Sequence, residues 1–119
     1  SYANENIRFI GTIYNQEKLL ALRHHSHTYL HGHSVGGTNP SLLEAMGCGN
    51  GIIAHDNQFN REVAGDSALY FKDAVSLSAL LNNLGDMASN GRAVQQIIFD
   101  RYTWAKVVSA YLELLAQEK

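Results

Sequence analysis

Short apolar runs alternate along the chain with stripes of apolar residues at three-and-four spacing, the pattern of a parallel α/β sheet whose strands are joined by helical crossovers. Four strands are expected. They are residues 7–10 (Ile-Arg-Phe-Ile) before Gly11, 28–31 before Gly32, 51–54 ending near Asp56, and 68–71 ending at Lys72. Helices are expected between them at about 16–25 and 40–46. The second has clear boundaries: Asn39 suits the N-cap, Pro40 the first helical position, and Gly47 and Gly49 the end. After Phe71 the pattern is wholly helical, with Val75, Leu80, Leu81, Leu84 and Met87 on one stripe and a break at Asn90-Gly91. A last helix, capped by Thr103, carries Trp104, Val107, Val108, Tyr111, Leu112 and Leu115 on an apolar face that must pack on something. No internal repeat is present.

Composition narrows the picture. With 119 residues the chain is one domain at most, and 45% hydrophobic against 17% charged residues supplies an ordinary globular core. Nine Lys and Arg against eleven Asp and Glu give a net charge of -2, and the cations are scattered, which argues against a nucleic-acid partner. A single cysteine, Cys48, excludes an internal disulfide framework and a Cys-only zinc site. The apolar runs are too short to span a bilayer and no basic-then-apolar leader opens the sequence, so a cytoplasmic location is expected. The polar, Met-free start at residues 1–6 reads as the beginning of a piece of a longer protein.

Six of the ten glycines fall between Gly32 and Gly51, around one strand, one loop and one helix. The segment from His31 to Met46 runs from the carboxyl end of a strand through Gly36-Gly37 to a capped helix start. In open α/β sheets ligands bind at that edge. A helix amino terminus presents unpaired N–H groups and partial positive charge, which suits a phosphate or an array of sugar hydroxyls. Gly36 and Gly37 let a ligand approach the backbone. Glu44 shares a helix face with Pro40 and Ser41, and its carboxylate could accept two hydrogen bonds from a vicinal diol such as a ribose. The plain alternative is a simple Gly-Gly turn and a solvated Glu44.

The ordered set Asn6-Ile-Arg-Phe-Ile-Gly11, Leu42-Leu-Glu-Ala-Met-Gly-Cys-Gly49, Ile52-Ile-Ala54, Glu62-Val63, Gly65-Asp-Ser-Ala-Leu69 and Tyr102-Thr-Trp104 resembles the carboxyl-terminal half of the donor-binding domain of glycosyltransferase family 4, of the GT-B fold. The resemblance covers nearly the whole chain. It implies a partial Rossmann-like sheet, with the upstream part of that domain and the acceptor-binding domain lying outside residues 1–119. It implies transfer of a sugar from a nucleotide-sugar donor to a glycan or lipid-linked acceptor, with retention, in polysaccharide biosynthesis, and without metal or cofactor. The family's second hallmark glutamate maps onto Glu44, the ribose holder; the first falls at Gly36, a departure from the pattern. The run His33-Ser-Val-Gly-Gly-Thr-Asn-Pro-Ser41 resembles some bacterial polysaccharide rhamnosyltransferases. The family's diphosphate-neutralising Arg and Lys belong to an upstream loop, so the isolated chain is expected to be inactive. The full-length protein would work in the cytoplasm, at the inner face of the membrane where the acceptor is lipid-linked.

The donor-binding residues expected on this reading are Gly36, Gly37, Thr38, Asn39, Glu44, His33 and Glu62; no catalytic residue is assigned. The backbone of residues 37–39 would clamp the diphosphate. His24, His25, His27, His31 and His33 crowd into ten residues. His31 and His33 share a strand face, as zinc or nickel ligands could, but no carboxylate or Cys stands at matching spacing and His24 and His25 are expected to diverge. His33 at the mouth of the site would instead hydrogen-bond the donor, or simply pack. Cys48 reads as a buried thiol, and Arg61 with Glu62 as either a donor-side loop or a local ion pair. The Gly36 departure keeps a second function class open, a non-catalytic nucleotide- or partner-binding module. Strand 7–10, lacking its usual neighbours, is expected to pair directly with 28–31, with a tendency to self-associate through exposed sheet edges.

Overall fold

A computed structural model of the chain describes residues 4–34, 40–101, 112–113 and 116. Gly51-Ile-Ile-Ala-His55 is the most continuously apolar short run, and it forms the middle strand of the sheet, β2 (Gly51–His55), whose first four residues are buried. On either side lie β1 (Thr28–His31) and β3 (Leu69–Phe71), both parallel to β2, in the order β1-β2-β3. The register pairs Tyr29 with Ile52 and His31 with Ala54, and Ala54 in turn with Tyr70. Parallel strands require crossovers, which here are helices. Helix α1 (Gln16–His25) precedes β1, α2 (Pro40–Gly47) joins β1 to β2, and α3 (Gln58–Ala64) with a 3-10 turn at Gly65–Ser67 joins β2 to β3. Helices α4 (Ala74–Asn82) and α5 (Ala88–Arg101) follow. The architecture is α/β and Rossmann-like.

Alternation along the strands sends Tyr29, Ile52, Ala54 and Tyr70 to one face of the sheet. There they meet Leu42, Ala45 and Met46 of α2, Val63 and Ala64 of α3, Ala68, and Val94 of α5, in one core. Helix α2 ends in a Schellman motif: Gly49, at φ 78°, donates to the Met46 carbonyl (3.0 Å) and Asn50 to the Ala45 carbonyl (3.2 Å). Asn50 then reaches back to α1, its side-chain amide donating to the carbonyls of Arg23 and of Ser26. One buried side chain thereby ties the end of α1 to the entry of β2. Helix α5 crosses this turn so closely that a Cβ on Gly91 would lie 2.0 Å from the Gly49 carbonyl oxygen.

Three expectations need correction. Residues 7–10 form no strand of the sheet and do not pair with β1, so the sheet has three strands rather than four. The segment instead begins in a tight turn, where Asn4 and Ile7 exchange two backbone hydrogen bonds and the Asn4 side chain accepts from the N–H groups of Asn6 and Ile7. Ile7, Phe9 and Ile10 are 49, 70 and 63% exposed. An apolar run states which residues favour burial; it does not supply the partner strand a ladder needs. The second correction is the break between the last described helices, which lies at residues 83–87 and not at Asn90-Gly91. Gly91 is inside α5, chosen by close packing and not by a turn. Third, His24 and His25 do not diverge: their rings meet edge to face with centroids 5.0 Å apart. The helix expected from Thr103 lies outside the described residues, apart from Leu112, Glu113 and Ala116; Leu112 is exposed.

Helix α4 opens on a capping box in which Asp73 accepts from the Ser76 N–H at 2.8 Å and the Ser76 hydroxyl accepts from the Asp73 N–H at 3.1 Å. Hydrogen bonding from Ser76 holds the Asp73 carboxyl below its ordinary 3.8. A depressed carboxylate contributes stability above its unfolded pKa and loses it as pH falls through the folded value. Asp73→Ala is therefore expected to lower the thermal midpoint at pH 7. The gap to wild type should close as the pH is taken well below 4, while Asp73→Asn, which keeps a capping oxygen, should stay nearer wild type at pH 7. Thermal scans across pH test both.

Candidate functional site

The carboxyl ends of the three strands share one edge, and the residues following them converge there. His55 ends β2 and stacks edge to face on Phe71 of β3, centroids 5.7 Å apart. Asn57 caps α3 by accepting from the Asn60 N–H at 2.9 Å. The buried Asn60 spends both amide protons on backbone, one on the His33 carbonyl (3.0 Å) and one on the His55 carbonyl (2.9 Å). Asn57 adds a second donor to the His33 carbonyl at 3.1 Å. The turn leaving β1 is thus fastened to the turn leaving β2. This explains why two asparagines follow the third apolar run.

Beside this edge, α2 starts at Pro40 and carries Glu44 one turn further on. Glu44 is paired with Arg23 from the last turn of α1, through Oε2 alone. The Arg23 side chain is 12% exposed and the Glu44 side chain 46%, so the arginine is the anchored partner and the carboxylate faces solvent. Sequence reasoning missed Arg23. It stands 21 positions from Glu44, and the only local hint is that it is a cation in the last turn of a helix that leads into the strand bearing the site. Because the pair is partly exposed, its loss should change stability by no more than about 1 kcal/mol. Arg23→Met is therefore expected to leave the unfolding midpoint nearly unchanged, yet to weaken severalfold any ligand that Glu44 holds, as titration of the full-length protein would show.

Of the expected donor-binding residues, Gly36, Gly37, Thr38 and Asn39 lie outside the described residues. His33 and Glu44 flank the β1–α2 connection. Glu62 does not join them: it sits in the second half of α3, exposed, and accepts from Gln58 of its own helix at 3.2 Å. Arg61 forms an ion pair, but with Asp56, through bonds of 2.5 and 3.0 Å. Its guanidinium lies 4.3 Å over the Tyr70 ring. Those bonds from Arg61 hold the Asp56 carboxyl below its ordinary value. Burial pushes Tyr70 up to about 12, and its hydroxyl donates to the Gly65 carbonyl at 2.6 Å. This group buttresses the β2–β3 crossover. Cys48 is half-buried at the end of α2 and not a core thiol.

His31, the last residue of β1, is 1% exposed. Its ring stacks on His33, centroids 4.7 Å apart, and its Nδ1 meets the Tyr29 hydroxyl at 3.4 Å. Its Nε2 is buried with no hydrogen-bond partner among the described residues. Such an atom costs about 1–3 kcal/mol when left unpaired. Burial, with His33 second, lowers the His31 pKa, so the imidazole is neutral at physiological pH. Strand alternation alone places His31 on the core face with Tyr29, a signal that sequence reading used only to set it beside His33. Among the described residues no group of three or more His, Cys, Asp or Glu could hold a metal, and no helix is long and apolar enough to cross a membrane.

Open parallel sheets take ligands at the carboxyl edge of their strands, and His31 and His55 end β1 and β2 there. Comparison with known proteins adds one relative. The chain is 28% identical to an uncharacterized glycosyltransferase of Methanocaldococcus jannaschii, over 123 residues that cover 96% of this chain and 31% of that protein. It thus spans about a third of the length of the curated relative it matches. No family model and no solved structure matches the chain.

Proposed function

We propose that this chain is the nucleotide-sugar-binding part of a glycosyltransferase, and that the donor lies across the carboxyl edge of β1 and the start of α2. The observation that carries the reading is the solvent-facing carboxylate of Glu44, held by Arg23 one turn into α2, beside the edge where open parallel sheets take ligands. The name of the archaeal relative, similar along nearly all of this chain, supports it. Glu44 accepts hydrogen bonds from the ribose diol; the backbone of residues 36–39 and the start of α2 receive the diphosphate; His33 stands at the mouth. Departure of the sugar from the diphosphate leaves negative charge on phosphate oxygens, and N–H donors aimed at them stabilise that charge. Retention, the family 4 and GT-B assignment, a glycan or lipid-linked acceptor and a rhamnosyl-type donor belong to the same proposal. So does the view that these 119 residues are one part of the donor domain.

The test is titration of the full-length protein with a panel of sugar nucleotides, followed by turnover with the one that binds. Saturable binding abolished or weakened by Glu44→Ala supports the reading. A protein that binds none of the panel refutes it, and one that binds without turnover is a nucleotide-binding module.

A further inference from the structure

The buried Nε2 of His31 is the polar atom at this edge with no hydrogen-bond partner among the described residues. Its surroundings define what it can offer. Ser41, in the first turn of α2, hydrogen-bonds the Tyr29 side chain. Burial raises the Tyr29 pKa above its ordinary value, so the phenol keeps its proton. The Tyr29 hydroxyl stands 3.4 Å from His31 Nδ1, placed to donate to it in a long hydrogen bond. A neutral imidazole accepting at Nδ1 carries its hydrogen on Nε2. With Nδ1 accepting from Tyr29, the chain of groups ends in a single N–H donor, at the carboxyl end of β1, linked through Tyr29 to the first turn of α2. Such a donor needs an acceptor, and next to a helix start the fitting acceptor is an anionic oxygen.

We propose that His31 is a phosphate-binding residue, donating from Nε2 to a diphosphate oxygen of the bound nucleotide. The proposal rests on the donor-binding reading and names a contact within it. The ring that covers His31 on the described side is His33, whose backbone carbonyl is held by Asn57 and Asn60 while its side chain is exposed. Rotating an exposed side chain between staggered rotamers is cheap, so His33 can turn away from the face of the His31 ring without moving the turn. His31 is the contact, and His33 its exposed neighbour.

The experiment uses the full-length protein titrated with UDP, GDP, ADP and dTDP, with the corresponding nucleosides, and with inorganic diphosphate. His31→Asn keeps an amide near the Nδ1 position and removes the reach of Nε2; His31→Gln keeps a donor near Nε2. The expected result is at least a tenfold loss of nucleoside diphosphate affinity in His31→Asn, partial recovery in His31→Gln, and unchanged nucleoside affinity in both. Unaltered diphosphate affinity in His31→Asn overturns the role of His31 while leaving the donor-binding reading intact. Wild-type protein that binds neither nucleoside diphosphate nor inorganic diphosphate overturns both. Should the variants fail to fold, nitrogen-15 spectra of the wild-type imidazoles during diphosphate titration decide: a shift at His31 Nε2 supports the contact, and none refutes it.

Discussion

Replacing Gly91 with alanine is expected to destabilise the fold by about 2–4 kcal/mol, although alanine is the better helix former by roughly 1 kcal/mol. The steric term wins because of what the new methyl meets. A Cβ at Gly91 would stand 2.0 Å from the Gly49 oxygen, 2.9 Å from the Gly49 carbonyl carbon and 3.2 Å from that of Asn50. All three are backbone atoms, so no side chain can rotate away. Nor can that turn yield easily: its Schellman bonds close α2, and Asn50 binds the end of α1. Helix α5 would have to back off by more than an ångström, loosening Val94, Ile97 and Ile98 from the core. Gly85→Ala is the control, since its Cβ would meet nothing within 4 Å, and it should stay within about 0.5 kcal/mol of wild type. Urea denaturation of both variants checks the contrast; equal midpoints would mean that α5 does not pack on this turn.

Removing the Glu44 carboxylate is expected to reduce donor affinity by about 1–3 kcal/mol, roughly 5- to 150-fold, in Glu44→Ala and by less in Glu44→Gln. An amide keeps one acceptor oxygen for a ribose hydroxyl and can still accept from Arg23. Alanine keeps neither. The size of the effect exceeds anything the Arg23 pair contributes to folding, because the carboxylate is 46% exposed and its ion pair is screened by water. Affinity should thus fall while the unfolding midpoint scarcely moves. Calorimetric titration with the best-binding sugar nucleotide, alongside a thermal scan, separates the two. Donor affinity unchanged in both variants would remove Glu44 from the site.

Much of the frame was legible because it is written in local patterns. The expected helix at 16–25 matches α1 residue for residue, and 40–46 matches α2 to within one residue. Three of the four expected strands exist, with β2 one residue longer and β3 one residue shorter than expected. Periodicity and glycine stops suffice for such elements, since each depends on residues within a turn or two. The expectation of a site at the carboxyl edge of β1 also follows from topology. Of the expected donor-binding residues that are described, His33 lies between β1 and α2 and Glu44 within α2, whereas Glu62 accepts from its own helix neighbour Gln58.

Tertiary structure decided the rest, and in each case the deciding contact is remote in sequence. Whether residues 7–10 become a strand depends on a pairing edge, which no apolar run can specify. Asn90-Gly91 reads locally as a helix break; only the approach of α5 to a turn some forty positions earlier shows that the glycine is there to remove a side chain. Arg23 and Glu44 lie 21 positions apart, and Asn50 and Arg23 lie 27 apart, so no local window contains either pair. His31 and His33 look alike in sequence. Burial separates them, leaving one ring exposed at the mouth and the other with a sealed nitrogen and no partner for it among the described residues. The sequence by itself determined an α/β sheet and the edge that carries the carboxyl ends of its strands, because those are matters of period and connection. Which side chains stand ready at that edge was decided by packing, because burial and pairing are properties of the folded chain as a whole.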